Sequence, residues 1–161
     1  MKYLLDTVVW IWSIDSVEKL GKRGRAILEN GHEEIYLSAA SAWEVTIKAR
    51  LGKLKLPAPP AQCVPAFMAK QGLRPLPITH THALKVYDLP AHHNDPFDRL
   101  IIAQAILEQM TILTADRAFA SYPVSGPLTL TRPGFNDQKR CRGSAVHCGA
   151  LLGICPGLPE I

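Results

Sequence analysis

Cysteine is scarce in this chain of 161 residues: Cys63 stands alone in its body, and Cys141, Cys148 and Cys155 lie near the C-terminus. So few cysteines exclude a disulfide framework. No stretch reaches the roughly 18 apolar residues that a membrane span needs. The N-terminus interrupts its apolar run with Asp6 and lacks a small-residue cleavage site, which excludes a secretory signal. These absences predict a soluble intracellular protein.

Charge of one sign and chain-breaking residues are also limited. The formal net charge is +4 with a pI near 9.0, which is only a weak indication of a nucleic-acid partner. Thirteen prolines and eleven glycines are too few for a low-complexity or fibrous chain. With 47% hydrophobic residues, the chain is expected to form one compact domain with a sizeable core.

Apolar runs of strand length alternate with stretches of helical periodicity. Strands are predicted at 2–6, 35–37 and 111–114, and each precedes a predicted helix. Residues 96–109 give the best helix, apolar nearly all round and therefore largely buried. This alternation predicts a parallel sheet flanked by helices. The remaining predictions are helices over 7–14, 16–30 (ending at a Gly31 cap), 38–51, 61–71, 79–88 and 116–122, with strands over 73–78 (at an edge) and 124–130.

The periodicity stops at Thr131, where glycine becomes frequent and the cysteines appear. We therefore predict a domain over residues 1–130 and a C-terminal tail of uncertain order over 131–161.

Acidic residues occupy the points where predicted strands pass into helices. Asp6 and Asp116 each follow a strand, Asp98 lies one turn into the buried helix, and Glu44 lies in the second turn of the helix after the second strand. The carboxyl ends of parallel strands share one edge of a sheet, so these four acids could converge on one pocket.

Each acid also has a structural interpretation. Asp95 fits a helix cap before Pro96, Ser41 and Glu44 have the spacing of a capping box, and Asp6 and Asp116 fit caps. Capping alone explains the set less well, because Glu44 lies late for a helix that starts at Ser38. Asp98 on a buried helix is also costly unless it is compensated.

A cluster of carboxylates requires protons or a cation. Two ionised carboxylates about 5 Å apart repel by roughly 3 kcal/mol at an effective dielectric constant near 20. An all-oxygen ligand set suits Mg²⁺ or Mn²⁺, and such an ion can activate water for phosphodiester hydrolysis. The residues therefore point to hydrolysis of a nucleic-acid backbone.

Four motifs occur in order: Tyr3-Leu4-Leu5-Asp6-Thr7, Ser41-Ala42-Trp43-Glu44-Val45, the string Leu89 to Ala105 around Asn94-Asp95-Pro96-Phe97-Asp98-Arg99, and Leu113-Thr114-Ala115-Asp116. Over residues 2 to 128 the chain resembles PIN-domain proteins, and more narrowly the VapC-type toxins of type II toxin-antitoxin modules.

The resemblance implies a cytoplasmic, metal-dependent endoribonuclease with a three-layer α/β/α sandwich and a central, mainly parallel sheet. It implies one or two Mg²⁺ or Mn²⁺ ions, an RNA substrate, a homodimer, and a cognate antitoxin that occupies the active site. Carried over by motif, the catalytic and metal-binding residues are Asp6, Glu44, Asp98 and Asp116. Asp95 matches a helix cap or supporting group, and Thr7 and Thr114 could orient bound water or phosphate.

Several other side chains leave alternatives open. His80, His82, His92 and His93 lack a zinc-site spacing and are interpreted as surface imidazoles, and the three C-terminal cysteines with His147 are interpreted as lacking zinc. Arg99 and Arg117 could pair with the preceding acids or contact RNA. Lys48, Arg50, Lys53 and Lys55 form a basic run, as do Lys19, Lys22, Arg23 and Arg25, and each could be a solvated face or a phosphate contact. Trp10, Trp12 and Trp43 are assigned to core or dimer packing rather than to base stacking.

Two other functions compete with the ribonuclease. A nonenzymatic RNA-binding or regulatory module could keep the fold with an unused pocket. A flap-type DNA nuclease could use a similar acid cluster, although this chain is short for one.

Overall fold

The computed structural model describes residues 1–124 and the backbone of residues 128–129 and 146–147. Five parallel strands form the main sheet in the order β4-β2-β1-β5-β6, and a separate parallel pair joins β3 to β7. In chain order the strands are β1 (Lys2–Leu5), β2 (Glu34–Ser38), β3 (Leu54–Lys55), β4 (Arg74–Leu76), β5 (Thr111–Thr114), β6 (Leu128–Thr129) and β7 (Val146–His147).

Residues 1–124 contain six α-helices and three short 3-10 helices. The 3-10 helices span Val17–Lys19, Val86–Asp88 and Arg117–Ser121. Within the part of the chain that the structure describes, no helix is long and apolar enough to cross a membrane. The α-helices are α1 (Thr7–Asp15), α2 (Lys22–Glu29), α3 (Ala39–Arg50), α4 (Pro60–Gln71), α5 (His80–Lys85) and α6 (Pro96–Leu107).

The core has two hydrophobic clusters, one on each face of the sheet. In β1, Tyr3 and Leu5 belong to one cluster and Leu4 to the other, because successive side chains of a strand point to opposite faces. Residues of α1 and α4 complete the first cluster, and residues of α6 complete the second. The predicted α/β/α sandwich with a parallel sheet is confirmed.

The central strands place the site at one edge of the sheet. In the register of β1, Leu5 pairs with Leu37 of β2 and with Leu113 of β5, so these three strands end at the same level. The residues that follow them therefore meet at one edge. Strand β4 lies at a sheet edge, as its prolines predicted.

Some element predictions were wrong. The helix predicted over 16–30 is a 3-10 turn followed by α2, because Leu20 is buried in extended backbone and Gly21 begins a new helix. That helix ends at Asn30 rather than at a glycine cap. The segment 79–88 divides into α5 and a 3-10 turn, and the helix predicted over 116–122 is a 3-10 turn.

The pairing of β3 with β7 was not predicted, because two-residue strands carry no detectable periodicity. Of the predicted tail over 131–161, only the backbone of β7 is described. The cysteines at 141, 148 and 155 lie outside the described residues. The division into a domain and a tail stays a prediction.

Candidate active site

Asp6 and Asp116 serve as helix caps and as members of an acid cluster at the same time. Asp6 directly follows β1, and its Oδ1 accepts a hydrogen bond from the Val8 amide at 3.2 Å. Its Oδ2 accepts a 2.8 Å bond from Thr114 Oγ1. Asp116 follows β5, and its Oδ1 accepts from the Ala118 amide at 2.8 Å while Oδ2 lies toward His93. The capping and clustering interpretations are therefore compatible, because each carboxylate uses a different oxygen for each role.

Glu44 projects from the second turn of α3 into the interior and is not a capping residue. Its Oε1 forms a 2.5 Å ion pair with Lys48 Nζ, one helical turn later. Its Oε2 is buried without a hydrogen-bond partner. The predicted capping box with Ser41 is wrong, because Ser38 Oγ caps α3 by accepting from the Ala40 amide. The free oxygen of Glu44 can therefore accept a ligand.

The pKa values of Asp98 and Asp6 reveal how closely the acids lie. Burial and the charges of the neighbouring carboxylates raise the pKa of Asp98 to about 9. Burial, with a smaller contribution from Glu44, raises the pKa of Asp6 to about 6, against the lowering effect of the Thr114 hydrogen bond. The carboxylates whose charges raise the pKa of Asp98 are, from the largest effect to the smallest, Asp6, Asp95, Glu44 and Asp116. The fold thus gathers all four predicted acids, together with Asp95.

His93 is a site residue that the sequence analysis missed. Its Nε2 lies 3.2 Å from Asp98 Oδ2 and 3.2 Å from Asp116 Oδ2. Its Nδ1 accepts a 3.2 Å hydrogen bond from the Asp95 amide, which leaves Nε2 to carry the proton toward the two carboxylates. Its position two residues before the helix cap Asp95 was the available signal.

The interpretation of the four histidines as surface imidazoles holds for His80 and His92, which are exposed. It is wrong for His93 and for His82, which is 3% exposed. His82 Nδ1 accepts from the Thr79 amide, and its Nε2 lies 3.1 Å from Glu108 Oε1. His82 belongs to a capping box with Thr79 and also contacts Glu108, and His93 contacts Asp116. The spacing of the histidines in the sequence does not reveal these partners.

Arg99 supports the loop that carries His93. Its guanidinium donates to four backbone carbonyls. The sequence analysis left open a pairing with the preceding acid or a contact with RNA, and these carbonyl contacts are neither of the two. Arg117, the other arginine that follows an acid, is exposed. The four carbonyl oxygens that accept from Arg99 are Val86 O at 2.8 Å, Pro90 O at 2.9 Å, Leu89 O at 3.1 Å and His93 O at 3.4 Å.

The chemistry of the acid cluster fits a hard divalent cation. The donors are carboxylate oxygens, one of them buried and unpartnered on Glu44, and burial together with repulsion between the carboxylates raises the pKa of Asp98. No three His, Cys, Asp or Glu side chains among the described residues already lie where they could hold a metal ion. Lys48 and His93 provide the positive or hydrogen-bonding partners of the acids in this arrangement. The assignment of Asp6, Glu44, Asp98 and Asp116 as the ligands of such an ion stays a prediction from the sequence.

A parallel α/β sandwich with a cluster of acids at the carboxyl edge of its sheet defines a class of protein, and comparison with known proteins identifies that class. The family model described as "PIN domain" matches residues 3–124. The chain therefore belongs to the PIN-domain family, which confirms the resemblance found in its motifs.

One curated relative is "Ribonuclease VapC16" of Mycobacterium tuberculosis, which is 50% identical over 58 residues. That match covers 36% of this chain and 41% of the relative, so the chain spans less than half the length of the relative it matches.

Two solved structures share the fold. The complex VapBC2 from Rickettsia felis, bound to a DNA fragment from its promoter, matches with a TM-score of 0.57 and 16% identity, over 76% of this chain and 94% of that one. A toxin-antitoxin complex from Klebsiella pneumoniae matches with a TM-score of 0.52 and 20% identity, over 75% and 92% respectively. At these identities the likeness concerns the fold.

Proposed function

We propose that this chain is a metal-dependent endoribonuclease whose catalytic and metal-binding residues are Asp6, Glu44, Asp98 and Asp116. The observation that carries the proposal is the gathering of the acids at one edge of the sheet: His93 Nε2 lies 3.2 Å from Asp98 Oδ2 and from Asp116 Oδ2, and the Thr114 hydroxyl joins Asp6 to the Asp116 amide. Close to these acids in charge interaction, Glu44 keeps a buried Oε2 without a hydrogen-bond partner. Structural ion pairs alone do not need such an arrangement, whereas hydrolytic sites for phosphodiesters do. Membership of the PIN-domain family and the partial match to a ribonuclease support the same activity.

Bound Mg²⁺ or Mn²⁺ would supply a water of lowered pKa and positive charge near the phosphodiester. The residues of the chain supply the placement. Thr114 orients Asp6 through the 2.8 Å hydrogen bond, and its oxygen accepts from the Asp116 amide at 3.0 Å, so one hydroxyl positions two of the acids. Lys48 holds one oxygen of Glu44 and leaves the other available.

We also propose that the protein is the toxin of a toxin-antitoxin pair, acts on RNA inside the cell, and forms a homodimer. Its structural relatives include toxin-antitoxin complexes, which supports a cognate antitoxin as a partner. Purification together with the product of a neighbouring reading frame, followed by measurement of the mass of the complex, tests both the antitoxin and the dimer.

Cleavage of single-stranded RNA by the purified chain tests the activity. We expect cleavage with Mg²⁺ or Mn²⁺ that stops on addition of a chelator, and a loss of more than about a hundredfold in Asp6→Asn and in Asp98→Asn. The matched control is Asp88→Asn, because Asp88 is an exposed acid paired with Lys85 outside the cluster. Equal cleavage by parent and Asp98→Asn would refute the assignment.

The same assay with DNA addresses the flap-type nuclease, and binding without cleavage addresses the regulatory module. Faster digestion of branched DNA than of RNA would favour the first alternative. RNA binding that persists in chelator, with no cleavage under any metal condition, would favour the second.

A further inference from the structure

Trp43 differs from the other two tryptophans of the chain. Trp10 and Trp12 are 2% and 5% exposed and pack in the core, whereas Trp43 is 57% exposed. The assignment of tryptophan to core packing therefore holds for Trp10 and Trp12 only. Single exposed apolar side chains are ordinary on protein surfaces, so what makes Trp43 informative is its position relative to the acid cluster.

Trp43 lies beside the acid cluster and is supported by a second ring. It contacts Phe97 edge to face, with ring centroids 5.0 Å apart and an interplanar angle of 74°. Each aromatic residue directly precedes a cluster acid, since Trp43 precedes Glu44 on α3 and Phe97 precedes Asp98 on α6. The pair therefore borders the proposed hydrolytic site.

The two helices that carry this pair are fixed against each other. Ser38 Oγ, at the start of α3, donates a buried 2.5 Å hydrogen bond to Gln104 Oε1 of α6. Gln104 Nε2 donates in turn to Pro77 O at 3.1 Å. The aromatic pair is thus placed by the fold rather than by a mobile loop, as a preformed binding surface requires.

The chain around Trp43 has the charge of a polyanion-binding surface. Residues 45–87 contain no Asp or Glu and seven Lys or Arg. Arg50 is exposed and lies two helical turns after Trp43, on the same face of α3. Lys53 and Lys55 continue the exposed basic run toward and into β3. An exposed arginine on the same helix face as an exposed aromatic ring, with further basic residues following in the chain, is the combination that binds single-stranded nucleic acid.

We propose that Trp43, supported by Phe97, stacks on an unpaired base of the substrate RNA next to the bond to be cleaved, and that Arg50 contacts a backbone phosphate on the same face of α3. The inference rests on the proposed ribonuclease function and names the substrate-binding surface of that site. Stacking of this kind tolerates any base, because every base has an aromatic face.

Binding in the inactive Asp98→Asn background tests the proposal without cleavage of the probe. The probe is a single-stranded 12-nucleotide RNA, and affinity is measured by fluorescence anisotropy. We expect Trp43→Leu to weaken binding about tenfold and Trp43→Phe, which retains an aromatic face, to weaken it by less than about threefold. The control Tyr87→Leu removes another exposed aromatic ring, which precedes no cluster acid directly, and should leave affinity unchanged.

Abasic substitution along the same RNA provides the second measurement. The Asp98→Asn protein should bind the RNA more weakly when the base at one particular position is removed. Adding Trp43→Leu should not weaken binding to that abasic RNA any further, because the two changes remove the same contact. Because Trp43 also packs against Phe97, the melting temperature of each variant is measured as well, and binding is compared well below it.

The outcomes separate the two proposals. If the parent cleaves RNA but Trp43→Leu binds as tightly as its background, the stacking surface is refuted and the ribonuclease stands. If Trp43→Leu instead changes the mass of a dimer or antitoxin complex with RNA affinity intact, Trp43 belongs to a protein interface and the proposal is overturned. If the parent neither binds nor cleaves RNA, both proposals fail.

Discussion

The acid cluster has a buried half and an open half. Asp6 and Glu44 form the buried half, with 4% and 8% of their surface exposed. Asp98 and Asp116 form the open half, with side chains 21% and 45% exposed. The buried half stands on β1 and α3, next to the core. The open half depends on the loop before α6 and on the turn after β5.

The two halves are held in place by different means. Thr114 and Lys48 hold the buried half by short contacts from regular elements. His93 bridges the open half, and Arg99 holds the loop that carries His93. The sheet therefore sets the first half, whereas one imidazole and one guanidinium set the second.

The largest effect is expected in the open half, at Arg99. Arg99→Met keeps much of the side-chain volume but removes the guanidinium from four carbonyl oxygens, and should lower the free energy of unfolding by about 3 kcal/mol. Val86 O keeps the Leu89 amide and Pro90 O keeps the Tyr122 hydroxyl as donors, so the loss falls mainly on Leu89 O and His93 O. Urea denaturation measures this change. Arg117→Met is the matched control, because Arg117 is exposed, and should change stability by less than about 0.5 kcal/mol. Equal losses for the two variants would contradict the assigned role of Arg99.

The buried half is tested at Thr114. Thr114→Val preserves shape but removes the hydroxyl that donates to Asp6 and accepts from the Asp116 amide, and should destabilise the protein by about 2 kcal/mol. Loss of that donor should also raise the pKa of Asp6 further, since the hydrogen bond lowers it. Thr114→Ser restores the hydroxyl and should recover most of the stability. Thermal unfolding that fails to distinguish Val from Ser would argue against this hydrogen bond.

Asp98 predicts a pH dependence of stability. Its folded pKa, raised to about 9, exceeds that of the unfolded chain, so the folded protein retains a proton that the unfolded chain releases. Stability of the metal-free protein should therefore fall as pH rises from about 4 to about 9, with Asp6 contributing only up to about pH 6.

Asp98→Asn removes this titration and should stabilise the metal-free protein by about 1.5 kcal/mol at pH 8 but by much less at pH 5. Denaturation in chelator at both pH values measures the difference. Asp88→Asn, at an exposed acid, should show no such trend. A gain at pH 5 as large as that at pH 8 would show that Asp98 is not protonated in the folded protein.

The smallest expected effect concerns His93. His93→Ala removes the group between Asp98 and Asp116 and should cost about 1 kcal/mol in chelator. Added Mn²⁺ should reduce this difference, because the cation compensates the same two carboxylates. The control is His92→Ala, because His92 is exposed. A loss that grows with Mn²⁺ would mean that His93 supports the bound ion instead.

The sequence by itself determined the central strands, the buried helix and the family. Apolar periodicity predicted β1, β2, β5 and the buried α6, and the parallel arrangement followed from their alternation with helices. The four motifs identified the PIN-domain family, which the match over residues 3–124 confirms. The assignment of the four acids to catalysis and metal binding stays a proposal. Periodicity and motifs are local properties, so they can be found in a chain of unknown structure.

Only the tertiary structure decided which partners these residues have. The Thr114 hydroxyl and the Asp6 carboxylate meet across 108 positions of sequence because β5 and β1 pair in one register. The imidazole of His93, the carbonyls around Arg99 and the exposure of Trp43 likewise depend on where a loop or a helix packs. A contact between distant residues is set by strand register and helix packing, and no local pattern encodes either of them.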